Sequence, residues 1–164
     1  MQEQKYMTQE EFYKNLPVKR MGAGALIFNS AGQLLLVKPR YKGHWSIPGG
    51  IVEKDESPRQ ACLREVKEEI GIKLKKVKFL CVDWVGQKDG QNESLQFIFY
   101  GGLLAERQIA GIKIDSEEIS EYRFVEPGEV EKLLGGPTRN LAKRMPRCLE
   151  AAQNNIAMYL EEGR

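Results

Sequence analysis

Residues 57–71, SPRQACLREVKEEIG, specify a helix with both ends marked. Ser57 is a strong N-cap residue, and Pro58 takes the first helical position, where a missing N–H costs nothing. Gln60 completes a capping box and Gly71 supplies the stop. At about 100° per residue, Cys62, Leu63, Val66 and Ile70 share an arc of about 100°, the width of a core-facing stripe. Glu65, Glu68 and Glu69 form a second arc beside it, with Ala61 among them, too small to block access. Like charges at these spacings repel by about 0.2–0.5 kcal/mol per pair. Two readings are open: a solvated acidic face, which is the ordinary case, or a stripe that holds a divalent cation.

The text around this helix alternates between strand and helix. Thr8 and Glu11 form a capping box for a short helix from Gln9 to Asn15. GAGALIFN (22–29), a Ser30-Ala31-Gly32 turn and QLLLVK (33–38) read as a β-hairpin, followed by a Gly- and Pro-rich loop, PRYKGHWSIPGG (39–50). KKVKFLCVDWVG (75–86) and SLQFIFYGGLL (94–104) read as a long antiparallel pair joined through QKDGQN. EYRFV (121–125) is a further strand, before a helix opened by Pro127. A last helix spans about Asn140 to Asn155, with Pro146 a kink or break inside it. The class is α/β (α+β), a mixed sheet between helices. The 164 residues suit one domain over 1–164, with an N-terminal extension at 1–18 and a C-terminal helix and tail at 137–164.

Charge and cysteine content narrow the partners. A net charge of +2, with no run of five like charges, argues against a nucleic-acid partner. The first residues lack the apolar core of a signal peptide, and no stretch approaches the roughly 20 apolar residues that cross a bilayer. Cys62, Cys81 and Cys148 lie far apart and read as free, structural thiols of a cytoplasmic protein. His44 is the single histidine, so four N/S ligands for zinc cannot readily be gathered. Magnesium or manganese, which take hard oxygen ligands, suit the glutamate stripe better. Gly49 and Gly50, just upstream, let backbone come close to such a site.

From Gly50, GIVEKDESPRQACLREVKEEIGI agrees at every fixed position with the Nudix box, G-x5-E-x7-R-E-U-x-E-E-x-G-U. The identities are Gly50, Glu56, Arg64, Glu65, Glu68, Glu69 and Gly71, with Val66 and Ile72 in the aliphatic places. WSIPGG (45–50) is similar to the family's usual lead-in. The resemblance implies a Nudix-like α/β/α sandwich and Mg²⁺-dependent hydrolysis of a nucleoside diphosphate linked to another group, with Mn²⁺ a substitute. It implies metal ligation by Glu65, Glu68, Glu69 and the Gly50 carbonyl, and a Glu56–Arg64 brace. The general base is either a box glutamate or a residue of a later loop, where IDSEEISEYRF (114–124) offers Glu117 and Glu118 ahead of Glu121. The implied partner is a small nucleotide derivative, and a homodimer is left open.

Two other functions fit the same scaffold: a non-catalytic nucleotide sensor, which usually carries a degraded box, and an isoprenoid diphosphate isomerase. Residues 85–92, VGQKDGQN, hold neither the proline of the ADP-ribose subfamily nor the tyrosine of diadenosine polyphosphate hydrolases. Outside the box, Lys38 and Arg40 end a strand where they could meet substrate phosphates. Trp45 reads as packing and His44 as exposed. Trp84, Phe97, Phe99 and Tyr100 read as core, with Phe97 and Phe99 on one face and Ile98 and Tyr100 on the other. Arg139, Lys143, Arg144 and Arg147 read as a solvated cationic face of the last helix.

Overall fold

Alternate residues of one central strand decide how the layers assemble. The computed structural model describes residues 7–88, 90–136 and 140–164. Strand β1 (Arg20–Phe28) sends Ala23, Ala25 and Ile27 into one apolar cluster and Leu26 into another. Both faces of this strand are therefore covered, as its nearly unbroken apolar text requires. The first cluster packs beneath α2 (Pro58–Ile70); the second packs beneath α4 (Pro127–Leu133) and α5 (Asn140–Asn154).

The hairpin partner of β1 is β2 (Leu34–Pro39), and β3 (Gly49–Ile51) takes the same edge of β1 further towards its start. The long pair β4 (Lys78–Val85) and β5 (Ser94–Leu103) is antiparallel, as expected, and β5 runs parallel to β1. With β6 (Ile119–Val125) and β7 (Met158–Glu161), the order is β6-β2-β1-β5-β4-β7. The sheet is mixed and lies between helical layers, so the expected class holds. Phe97 and Phe99 do share one face, and Ile98 and Tyr100 the other.

Several local expectations agree in detail. Helix α1 (Gln9–Lys14) has its Thr8–Glu11 capping box, and α2 has the Ser57–Gln60 box and a left-handed Gly71 at its end. Others need correction. The loop at 39–50 contains β3 and a bridge from Ser46 to Val37, because Gly49 and Gly50 can lie flat against β1. Ala61 faces the core and is fully buried, so it does not line the acidic stripe. Helix α5 runs unbroken past Pro146, whose ring is exposed while Ala142, Met145, Cys148 and Ala151 anchor both halves to one cluster. Helix α3 (Glu106–Ile109) and β7 have no counterpart in the sequence reading; both are four residues long and show no full period of either pattern. Asp89 and Arg139, the first residues of the N-terminal extension (1–6) and residues 137–139 of the C-terminal segment lie outside the described residues.

All three cysteines are buried and free. Burial pushes the Cys62 thiol up to about 12, with the Glu65 charge adding to it. Cys148 is pushed upward by its contact with Cys81, the two sulfurs standing 2.8 Å apart, and by burial. Thiolate is the reactive form. A thiol-specific disulfide reagent at pH 8 is expected to leave all three untouched in the native protein and to titrate all three in denaturant. Fast native reaction of one thiol would contradict this packing.

Candidate active site

The acidic stripe of α2 is split by packing. Its neighbours Val66 and Ile70 are fully buried, and Glu69 is drawn in with them to 5% exposure. Glu65 is half-buried and Glu68 exposed. A buried carboxylate needs a partner, and Glu69 finds one in backbone: Gly49 N–H donates to its Oε2 at 2.9 Å. Only glycine permits this approach. Gly49 has φ of 147°, and a Cβ there would stand 2.3 Å from the Ala23 carbonyl oxygen. At Gly50 a Cβ would stand 2.3 Å from Glu65 Oε1. The Gly-Gly pair thus lets main chain abut two carboxylates at once.

Arg64 organises the remainder. Its Nε and Nη2 grip both oxygens of Glu56 at 2.9 and 3.0 Å, and Nη2 also donates to the Ile51 carbonyl at 3.1 Å. Nη1 donates to Glu65 at 2.8 Å and to Glu68 at 2.9 Å. All five guanidinium N–H groups are therefore engaged. The Arg64 hydrogen bond holds Glu56 below the usual carboxylate range. The Glu56–Arg64 brace expected from the resemblance is present.

Protonation follows burial. Desolvation pushes Glu69 up to about 8; the Gly49 N–H and the charge of Lys42 pull the other way, while Glu65 and Glu118 push it further up. Glu65 is also raised by burial, against the opposing hydrogen bond and charge of Arg64. Glu118 is thus brought within electrostatic range of both. Its turn is fixed to the end of α2, where Asp115 N–H donates to the Glu69 carbonyl at 3.2 Å and Lys113 N–H to the Ile70 carbonyl at 3.0 Å.

The other candidates divide. Arg40 points to that same turn, its Nε donating to the Ser116 carbonyl at 2.6 Å. Glu117 is exposed, with its N–H on Asp115 Oδ1, and no contact among the described residues ties it to the box carboxylates. Lys38 is half-buried and pairs across strands with Glu121. Lys42 went unnoticed in the sequence; it lies in the same loop, two residues past Arg40. His44 is half-buried at a cleft edge rather than exposed. Trp45 is buried, with the Arg123 guanidinium 5.0 Å from its ring centre. The cationic face of α5 is corrected at one position: Arg144 is buried on Asp83, whereas Arg147 stays exposed and pairs with Glu150.

Beside the carboxylates lies a cleft in two lobes of about 200 and 500 Å³. Gly49 and Gly50 line the smaller lobe, and Lys42, Ser46, Gln96 and Arg144 line both. Gly22 and Gly24 of β1 line the smaller lobe, where the Gln96 and Ile47 side chains take the room that a Cβ would fill.

The donor set fits a hard divalent cation in its chemistry: carboxylate oxygens at a glycine backbone, with Glu69 held by the Gly49 N–H. Among the described residues, no three acidic, cysteine or histidine side chains converge as they stand. Arg64 draws Glu65 and Glu68 to itself, while Glu69 turns to Gly49.

A model of the NUDIX domain matches residues 18–147. The chain belongs to the Nudix family. A putative 8-oxo-dGTP diphosphatase of Bacillus subtilis is 30% identical over 109 residues, 66% of this chain and 68% of that one. The mRNA-decapping enzyme subunit 2 of Saccharomyces cerevisiae is 43% identical over 151 residues, 92% of this chain and 13% of that one. The chain spans under half the length of several other curated relatives. A crystal structure of a UDP-X diphosphatase shares the fold, with a TM-score of 0.69 at 22% identity over 94% of this chain and 76% of that one. Among the described residues, no helix is long and apolar enough to cross a membrane.

Proposed function

We propose that this chain hydrolyses a phosphoanhydride bond in a nucleoside diphosphate linked to a second group, with a divalent cation. The observation that carries the reading is Glu69, a buried carboxyl held on the Gly49 N–H within an intact Nudix box. The carboxylates Glu65, Glu68 and Glu69, with the Gly50 carbonyl, would hold Mg²⁺, or Mn²⁺ in its place, which when bound neutralises phosphate charge and lowers the pKa of a water. Glu69 must lose its proton to serve as a ligand, so cation affinity weakens as the pH falls below about 8.

The chain's own residues supply positioning and proton transfer. Arg64, fixed by Glu56, sets where Glu65 and Glu68 stand. The proton of the attacking water passes to Glu118, or to Glu65 when that carboxylate serves as base instead of as a ligand; both act electrostatically on the buried Glu69. The variants E65Q and E118Q separate the two. Lys42, at the cleft beside Glu69, takes the phosphate role ahead of Lys38 and Arg40, because Arg40 is committed to the Ser116 carbonyl. Glu117 remains a substrate contact of second rank. The same reading takes residues 1–164 as one domain, since β7 completes the sheet beside β4.

The test is a panel of nucleoside diphosphate derivatives incubated with the protein and Mg²⁺, with products separated and weighed. Release of a nucleoside monophosphate from at least one compound is expected. Cleavage of none, with metal binding demonstrated, would instead support the nucleotide-sensor reading. Similarity to the yeast decapping subunit over 92% of this chain favours a second reading, in which the linked group is the 5′ end of an RNA. Capped and triphosphorylated oligoribonucleotides therefore belong in the panel.

A further inference from the structure

Gln91, Gln96 and Asn140 line the larger lobe of the cleft, and of these Gln96 also lines the smaller one, with its carboxamide set from two sides. Gln96 lines both lobes, next to Gly22 in the parallel pairing of β1 and β5. A Cβ on residue 22 would stand 2.5 Å from Gln96 Oε1, so the bare glycine makes the space that the amide occupies. Gln96 Nε2 donates to Ser94 Oγ at 3.0 Å, and Ser94 is itself buried. That bond holds the amide in place, and because a hydroxyl both donates and accepts, the carboxamide keeps one donor and one acceptor for a ligand. Apolar residues line the smaller lobe around it: Ile98 from β5, Ile51 from β3 and Leu141 from α5. Gly49, whose N–H holds Glu69, lines the smaller lobe, and Lys42 lines both lobes with Gln96.

We propose that Gln96 selects the nucleobase, with Ser94 and Gly22 as its positioning residues. An apolar slot with a few fixed polar groups suits a flat heterocycle whose edge must be read. A primary amide offers a donor beside an acceptor, which matches a base edge that presents an acceptor beside an N–H. This inference rests on the reading of the cleft as a nucleotide site. It adds the group that discriminates among bases.

The experiment compares wild type, Q96A and Q96E on adenine, guanine, uracil and cytosine forms of one cleaved substrate. Binding of the corresponding nucleoside monophosphates is measured by calorimetry in parallel. Q96A is expected to raise KM, and the calorimetric Kd, by about tenfold or more for the preferred base, with kcat little changed. Q96E replaces a donor–acceptor edge by two acceptors. It is expected to shift preference about tenfold towards guanine, which presents two adjacent N–H groups. G22A, which crowds Oε1, is expected to reproduce the Q96A change in KM with Gln96 still present. A merely structural Gln96 would lower thermal stability and leave the base ranking alone; an unchanged ranking in both Gln96 variants overturns the proposal. If wild type cleaves and binds no nucleotide, the functional reading fails and this inference fails with it. Normal cleavage with an unmoved ranking rejects the inference alone.

Discussion

Replacing Glu69 by glutamine is expected to lower Mg²⁺-dependent turnover by about 10²-fold or more, while leaving the fold intact. Glutamine keeps an oxygen for the Gly49 N–H and matches the shape of the buried acid, but it cannot become an anionic ligand. The same variant has a stability signature that needs no substrate. The carboxyl is raised in the folded protein, to about 8, because burial disfavours its charged form. The sign follows from linkage. Below about pH 4.5 the side chain is neutral in both folded and unfolded chains, and its contribution is fully present. As the pH rises towards 8, the unfolded chain ionises first, and stability on the order of 4 kcal/mol is lost. Urea unfolding in chelator should therefore show a decline from pH 5 to 8 that is largely absent in E69Q. Near-normal turnover in E69Q would remove Glu69 from the site. Parallel pH profiles would show that its burial is not as described.

Asp83→Ala is expected to cost about 3–5 kcal/mol of stability. Asp83 is fully buried on β4 and accepts from Arg144 Nε at 2.7 Å and from the Gly163 N–H at 2.9 Å. Truncation leaves a guanidinium, itself 4% exposed, without its counter-charge, and a backbone N–H without its acceptor. The loss reaches the cleft, because Arg144 lines both lobes. Replacing both partners by apolar residues of similar volume should recover much of the loss, since the desolvation cost of the pair disappears with it. Denaturant midpoints of D83A and of the double variant Asp83→Leu with Arg144→Met test this. A cost below about 1 kcal/mol in D83A would contradict the burial of the pair.

Much of the site could be read in advance because its elements are local. The capping box, Pro58, Gly71 and the glutamate spacing all lie within one helix, where geometry depends on neighbours three or four residues away. The 3.6-residue period also placed Cys62, Val66 and Ile70 in the core. It placed Ala61 wrongly, because a wheel gives angles and does not say how wide the buried face is. The actual face widens on one side only, from Cys62 past Glu69 to Ala61. Arg144 shows the same limit. Its spacing with Lys143 and Arg147 suggested a solvated stripe, whereas its partner Asp83 is 61 residues away in the chain and meets it only when α5 packs on β4.

The family was legible in the sequence through the fixed spacing of the Nudix box, which also made Glu56, Arg64, Glu65, Glu68 and Glu69 the candidates, and the mixed sheet between helices through periodicity and caps. Tertiary structure decided which carboxylate is buried, which are shared by Arg64, and that Glu118 and Lys42 come within electrostatic range of Glu69. Desolvation and long-range contact set those facts, and both arise only when strands distant in the chain are laid side by side.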